Sequence, residues 1–461
     1  MCKITRVLVF SFLVLCGAIQ AQTNVSGGIY SNTTWSLSAS PYIVTASITV
    51  FPGYTLTIEP GVVVKFNSGT QLEIRQASLI ALGTKADSIT FTSNSSQSAG
   101  SWNTVTLNGG TMISKLNYCN FKYATVGLTD NRTGSGDTLI LKNSNFIYNT
   151  TGFDGSGTGV NCGFIDTCNF RYNTTGAANG LGGKYNNCDF SYNLGGGSNY
   201  SKLNTFNNCT FTHNTTGLGN LNGSTLNTCL IRKNTSGIII TNQGVVINNS
   251  LIDSNSTVGV DIGKVSEVSY CVIKNNGVGI NDHNGSSFAS IISHNIISSN
   301  TTGIKLSLSG ESITCNSICN NSTYDLQYLS ASNLNIANNY WCTQDSASTE
   351  AVIYDGHDNI SCGLATFMPI DSTCHFTTEI KELNDQTVEL YPNPATTELI
   401  IGLPSSETTN IYVYDIQGDI KQQARIQTRQ HRLDVSDLRP GIYFIVINYN
   451  NTMIRRKFIK N

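Results

Sequence analysis

Asp261 and Asp282 stand 21 residues apart, with His283 beside the second. Glycoside hydrolysis needs two carboxyls about 5 to 9.5 Å apart, so a fold that stacks these two makes them, with His283, the candidate catalytic residues. The pairing depends on one residue of register, because aligning Gly259 with Gly279 sets Asn281 opposite Asp261 instead. A second constellation is aromatic: Tyr123, Tyr148, Tyr172 and Tyr192, followed by His213, with Lys122 and Arg171 next to them. Exposed, such a strip stacks against sugar rings while the cations bond hydroxyls or acidic groups; strict alternation turns it inward as a packed ladder. Asp355–Asp358 reads Asp-Gly-His-Asp, a histidine between acids that completes no hydrolase motif.

The elements that position these residues are repeats. With position zero at Cys119, Ser144, Cys168, Cys188, Cys209, Cys229, Ser250, Cys271, Asn295 and Asn316, the steps run from 20 to 25 residues. Plus two is Phe121, Phe146, Phe170, Phe190 and Phe211, then Ile231, Ile252, Ile273, Ile297 and Ile318. Minus three is apolar throughout, from Leu116 to Ile313. Plus five is asparagine from Asn149 to Asn321, with Ala124 the exception, and plus eight or nine is glycine from Gly127 to Gly303. Apolar residues at two-residue spacing in short runs exclude helical repeats. The expected fold is all-β: a parallel β-solenoid with about 21 residues per coil, like side chains stacked one strand spacing, ~4.8 Å, apart. Asparagine at plus five then takes a positive φ at a bend and bonds the next coil's amide, while the glycine serves a second bend or a close backbone approach.

Charged residues make up 12% of the 461-residue chain and the net charge is -2, which removes the basic footprint of a nucleic-acid binder. Lys3 and Arg6, an apolar run from Val7 to Leu15 and small residues up to Ala21 have the order of a secretory signal, cleaved after Ala21. Two of the 14 cysteines fall in that signal. Six of the rest, at position zero, read as small buried thiols; the column lacks the CxxC pairing that a zinc site needs. Cys162, Cys315, Cys319, Cys342, Cys362 and Cys374 gather mostly toward the far end, where disulfides would tie down the terminal coil, in pairings that are not readable. No metal site and no cofactor are expected, calcium being the ion an outer-face carboxylate cluster would take.

"YIVTASITVFPGYTLTIEPGVVVKF", with turns at Pro52-Gly53 and Pro60-Gly61, reads as opening coils. It closely resembles the N-terminal part of bacterial right-handed parallel β-helix proteins, the pectate-lyase-like superfamily. "NNYWC" at Asn338–Cys342 with "VIYDGHD" at Val352–Asp358 resembles their closing coil. The resemblance implies the fold and leaves the activity open, since lyases, hydrolases, binding proteins and adhesins share it. From Val388, alternating strands between Gly and Pro turns describe a small β-sandwich. This tail resembles the type A C-terminal sorting domain of proteins exported by the type IX secretion system of Bacteroidetes. Tyr391, Pro392, Asn393, Pro394, Gly418, Leu438, Gly441, Tyr443 and Lys457 fall where that family's motifs do. The resemblance implies export across the outer membrane, removal of the tail, and attachment to the surface or release.

The expected organisation is a signal over 1–21, a β-helix domain over 22–375, a linker over 376–387 and the sorting domain over 388–461. The expected protein is a secreted or cell-surface monomer that meets the type IX machinery and has a glycan-binding or adhesive role, toward polysaccharide or a cell-surface glycan. The alternative is a polysaccharide lyase or glycoside hydrolase working on the outer face.

Overall fold

The computed structural model describes residues 22–374 and 389–461, apart from 111, 133–138, 156–162, 179–181, 198–202, 243, 284–288, 404–408, 416–419 and 450–451. The signal with Ala21, the linker over 376–387, Cys162 and Gly418 lie outside the described residues. The chain divides into two units near residue 376, and each is described by itself.

The first unit is a parallel β-solenoid. One coil shows the plan: strand Thr205–Asn207, a bend at Asn208, strand Thr210–Thr212, a bend at His213, and strand Thr216–Leu218. Each strand pairs in parallel with its counterpart one coil away, so Phe206 meets Tyr185 and Leu226, and Phe211 meets Phe190 and Ile231. The first strands of the coils form a 13-stranded sheet; the second and third join in a 27-stranded one. Pro52-Gly53 and Pro60-Gly61 turn the opening coils, where Gly53 and Gly61 take φ of 85° and 80°.

The interior follows the columns. Phe91, Phe121, Phe146, Phe170, Phe190 and Phe211 stack with ring centroids 4.7–4.9 Å apart and planes within 9° of parallel. The isoleucines from Ile231 to Ile318 continue the file, and the minus-three column is buried along its whole length. A pile of rings on one axis requires in-register strands, because a slip of one residue sends each ring to the opposite face.

Asparagine at plus five is buried and forms a ladder: Asn149 Nδ2 donates to Asn173 Oδ1 at 3.1 Å, Asn173 to Asn193 at 3.2 Å, and so on to Asn300 and Asn321. The same Oδ1 also takes the preceding asparagine's backbone N–H, and the second Nδ2 proton goes to a carbonyl such as Phe170 O. Each amide thus closes the bend that nothing else satisfies. The positive φ, however, belongs to plus four and not to the asparagine: Tyr148, Tyr172, Tyr192 and His213 have φ of 57–60°. The glycine column serves close approach. A Cβ on Gly176, Gly217 or Gly237 would come closer than 3.0 Å to the next coil's glycine carbonyl oxygen.

The six position-zero thiols are buried and unbridged. Cys188 Sγ lies 3.7 Å from Ile165 O and 3.2 Å from Asn186 O, the carbonyls across its bend. Burial pushes Cys119 and Cys271 up to about 12. Asn295, Asn316 and Asn339 take over the same bend with amide bonds in later coils. Disulfides Cys315–Cys374 and Cys319–Cys342 fasten the closing coil, where Asp345 caps the short helix Ser346–Glu350 through Ser348 N. Cys362 is unbridged and half-buried.

The second unit has a three-stranded antiparallel sheet (Glu389–Tyr391, Glu398–Gly402, Gln430–Asp434) and a four-stranded one (Thr409–Asp415, Ile420–Ile426, Gly441–Tyr449, Thr452–Lys460). Leu399, Ile401, Val413, Val435, Ile445, Ile447 and Phe458 form its core.

Candidate functional site

The aromatic file lies on the outside of the solenoid. Phe146 points in, Ile147 out, and then Tyr148 turns left-handed, so the alternation that would bury plus four is reset and Asn149 points in again. Tyr148, Tyr172 and Tyr192 are 46–48% exposed, and Tyr123 is half-buried. The rings are stacked: Tyr123–Tyr148 at 6.0 Å, Tyr148–Tyr172 at 5.2 Å, Tyr172–Tyr192 at 5.1 Å and Tyr192–His213 at 4.8 Å between centroids. The ladder is therefore both packed and exposed. Its inner rings spend their faces on one another and offer phenol hydroxyls and ring edges; Tyr123 and His213 end the file.

Of the adjacent cations, Arg171 is held by Asp189, Nη2 to Oδ2 at 2.6 Å, and Lys122 is half-buried at plus three. Arg232 and Asp253 continue that outward column as an ion pair at 3.5 Å. Beyond the ladder runs a hydroxyl file: Thr150, Thr174, Thr215 and Thr235 at plus six are exposed, with Thr151, Thr175, Thr216 and Ser236 half-buried next to them. One coil breaks it, with Leu194 and Gly195 in place of two threonines. Two adjoining concavities open there. One of about 310 Å³ is lined by Thr175, Gly195, Gly197 and Thr216. The other, of about 780 Å³, is lined by Tyr192, His213 and Lys233. Leu194, Gly195, Thr215 and Lys233 were missed in the sequence reading; the one signal for them is Leu-Gly where the neighbouring coils have Thr-Thr.

The carboxylate pair does not form. Asp261 is the register partner of Asn281, whereas Asp282 stands opposite Ile262 and is fully buried. Glycine alignment gives the true register, and a one-residue slip puts Asp282 on the inner face. Asp261 instead accepts from Asn281 Nδ2 at 2.6 Å and lies 3.3 Å from His283 Nδ1. Asp282 neighbours Glu311, whose carboxyl is pushed up to about 7 by burial and then by Asp282. Glu350, Asp355 and His357 bring one ligand atom each within 4.8 Å of one another. Asp355 already accepts His357 N and Ala365 N at 2.8 and 2.7 Å, which ties the closing turn together.

In the tail, Tyr443 Oη donates to Arg439 O at 2.9 Å and its ring stacks on Phe458. Asn393 Oδ1 accepts Ile459 N at 2.9 Å, and Tyr391 Oη accepts Gln430 Nε2 at 3.0 Å. Leu438 is buried, Gly441 opens the strand Gly441–Tyr449, and Lys457 stands opposite Phe444. Asn393 therefore fastens the start of the sandwich to its last strand, and residues 389–461 match one family model. The tail is a secretion system C-terminal sorting domain. Carrying that domain, the chain is a substrate of the type IX machinery, bound for the cell surface or the medium. No curated protein matches the chain. Solved structures that it is similar to include three polysaccharide-degrading proteins. Pectate lyase Pel9A has a TM-score of 0.28 and 14% identity, over 57% of this chain and 69% of that one. The alginate lyase from Paenibacillus sp. str. FPU-7 has 0.29 and 11%, over 70% and 93%. Tailspike protein gp49 from Acinetobacter baumannii bacteriophage Fri1, a capsular polysaccharide depolymerase, has 0.34 and 10%, over 88% and 73%.

Proposed function

We propose that the exported solenoid is a glycan-binding protein that holds polysaccharide without cleaving it, on the face that carries the tyrosine ladder. The observation that carries this reading is the outward file from Tyr123 to His213 running beside the threonine file. Together they line up aromatic edges, phenols and hydroxyls at one strand spacing over several coils, which suits an extended polymer better than a small molecule. Binding is favoured over hydrolysis by the charge pattern: among the described residues of the solenoid strands, no two carboxylates are register partners, and in the close pairs Asp282 with Glu311 and Glu350 with Asp355, Asp282 and Asp355 are fully buried. Tail removal then leaves the solenoid on the surface or in the medium.

An oligosaccharide array read together with product analysis tests this. Binding with no new reducing ends and no unsaturated sugars is expected; cleavage products would replace it with the lyase or hydrolase reading. Tyr148→Asn and Tyr172→Asn keep a left-handed bend, since Asn275 and Asn320 occupy that place in later coils. The pair should weaken binding about tenfold, ~1.4 kcal/mol, and unchanged binding would remove the ladder from the site.

A further inference from the structure

The break in the threonine file is where the surface stops being periodic. Gly195 is in register between Thr175 and Thr216, and a Cβ placed on it meets nothing within 4 Å. The gap is therefore an absence of side chain on a face that is otherwise regular from Thr150 to Ser236, and no group among the described residues has moved in to fill it. Leu194, 60% exposed, forms an apolar lip over it. At the same level the ring stack ends: His213 is covered by Tyr192 on one side, and the next residue of its column is the exposed Lys233, which carries no ring. The two concavities share Leu194 and Thr215, so the glycine floor and the end of the stack belong to one depression. Among the described residues, neither concavity is lined by an aspartate or glutamate, and Lys233 is the lysine that lines the larger one.

We propose that this depression is a subsite for one anionic sugar residue of the bound polysaccharide, an inference that rests on the glycan-binding reading and adds the class of ligand. The ring lies over Gly195 with its C–H face on Leu194. Its hydroxyls meet those of Thr175 and Thr216, and its carboxylate or sulfate meets Lys233 Nζ. His213 offers the ring face that the stack leaves uncovered once the flexible lysine stem swings toward the ligand. A carboxylate and a sulfate share this chemistry, so both are tested.

The full chain is titrated by affinity electrophoresis with hyaluronan and with dextran sulfate, and with the neutral hyaluronan methyl ester and dextran. At least one anionic polymer should bind, about tenfold more tightly than its neutral counterpart, and whichever it is identifies the anion. Gly195→Thr continues the hydroxyl file into open space and favours a strand, so this variant should fold with an undiminished thermal midpoint and bind about tenfold more weakly. Lys233→Gln should abolish the preference for the charged polymer. Unchanged binding by Gly195→Thr, or equal binding of charged and neutral polymers, overturns the subsite and leaves the ladder reading standing. Failure of the wild-type chain to bind any polymer brings down both.

Discussion

Asn321 donates both its backbone N–H and its side-chain Nδ2 to Oδ1 of Asp325, at 3.1 and 2.8 Å. Asp325 thus receives the last link of the asparagine ladder, where every asparagine sends its backbone N–H and one of its two Nδ2 protons toward the same end. A carboxylate at that end faces aligned donors.

Burial nevertheless dominates over those hydrogen bonds and raises Asp325 from 3.8 to about 6. The folded chain keeps its proton at pH values where the unfolded chain has lost it. The stability this group contributes is therefore full below about pH 4 and is lost as pH rises through about 6. Asp325→Asn supplies a neutral acceptor and should match the wild type at pH 4 but exceed it at pH 7.5 by on the order of 1–3 kcal/mol. Urea denaturation at the two pH values reads the difference; a wild-type advantage at pH 7.5 would contradict it.

Gly237 lies where a Cβ would come closer than 3.0 Å to the carbonyl oxygen of Gly259, a backbone atom fixed by its own coil. Gly237→Ala should cost several kcal/mol, about 3 or more, because two coils must separate to admit one methyl group. Thermal unfolding compared with Gly195→Thr provides an internal control: two glycines of one solenoid, one intolerant and one indifferent to a side chain.

The buried thiols and the disulfides predict a divided chemistry. In a Cys162→Ser background, maleimide should label native protein at Cys362, while Cys119, Cys168, Cys188, Cys209, Cys229 and Cys271 react only after denaturation. Reduction of Cys315–Cys374 and Cys319–Cys342, which close loops of 59 and 23 residues, should destabilise the closing coil by about 3–4 kcal/mol per bridge. Faster amide exchange near Ile318 and Trp341, with little change near Phe146, is the signature; uniform acceleration would contradict it.

Much of this was legible because the columns are one-dimensional. Phe121 to Phe211, the minus-three file and Asn149 to Asn321 recur at nearly constant spacing, and constant spacing in a solenoid means contact. The glycines Gly259 and Gly279 even carried the correct register at Asp261. The direction of Tyr148 was not legible, because a left-handed residue at a bend resets alternation and nothing in the side chain announces it. The Asp325 terminus was missed because it lies four residues beyond Asn321 within one coil, where column arithmetic does not look. The pairing of Cys315 with Cys374 was hidden for a similar reason: the closing segment obeys no period.

Each asparagine in the ladder meets its neighbour through the same joint, whether the step is 20 or 24 residues. A whole coil between Asn173 and Asn255 can therefore be deleted or duplicated and the joint remakes itself, provided the cut respects the phrase. The reach of the molecule is in that sense a countable quantity, adjustable in single rungs while both finished ends stay as they are.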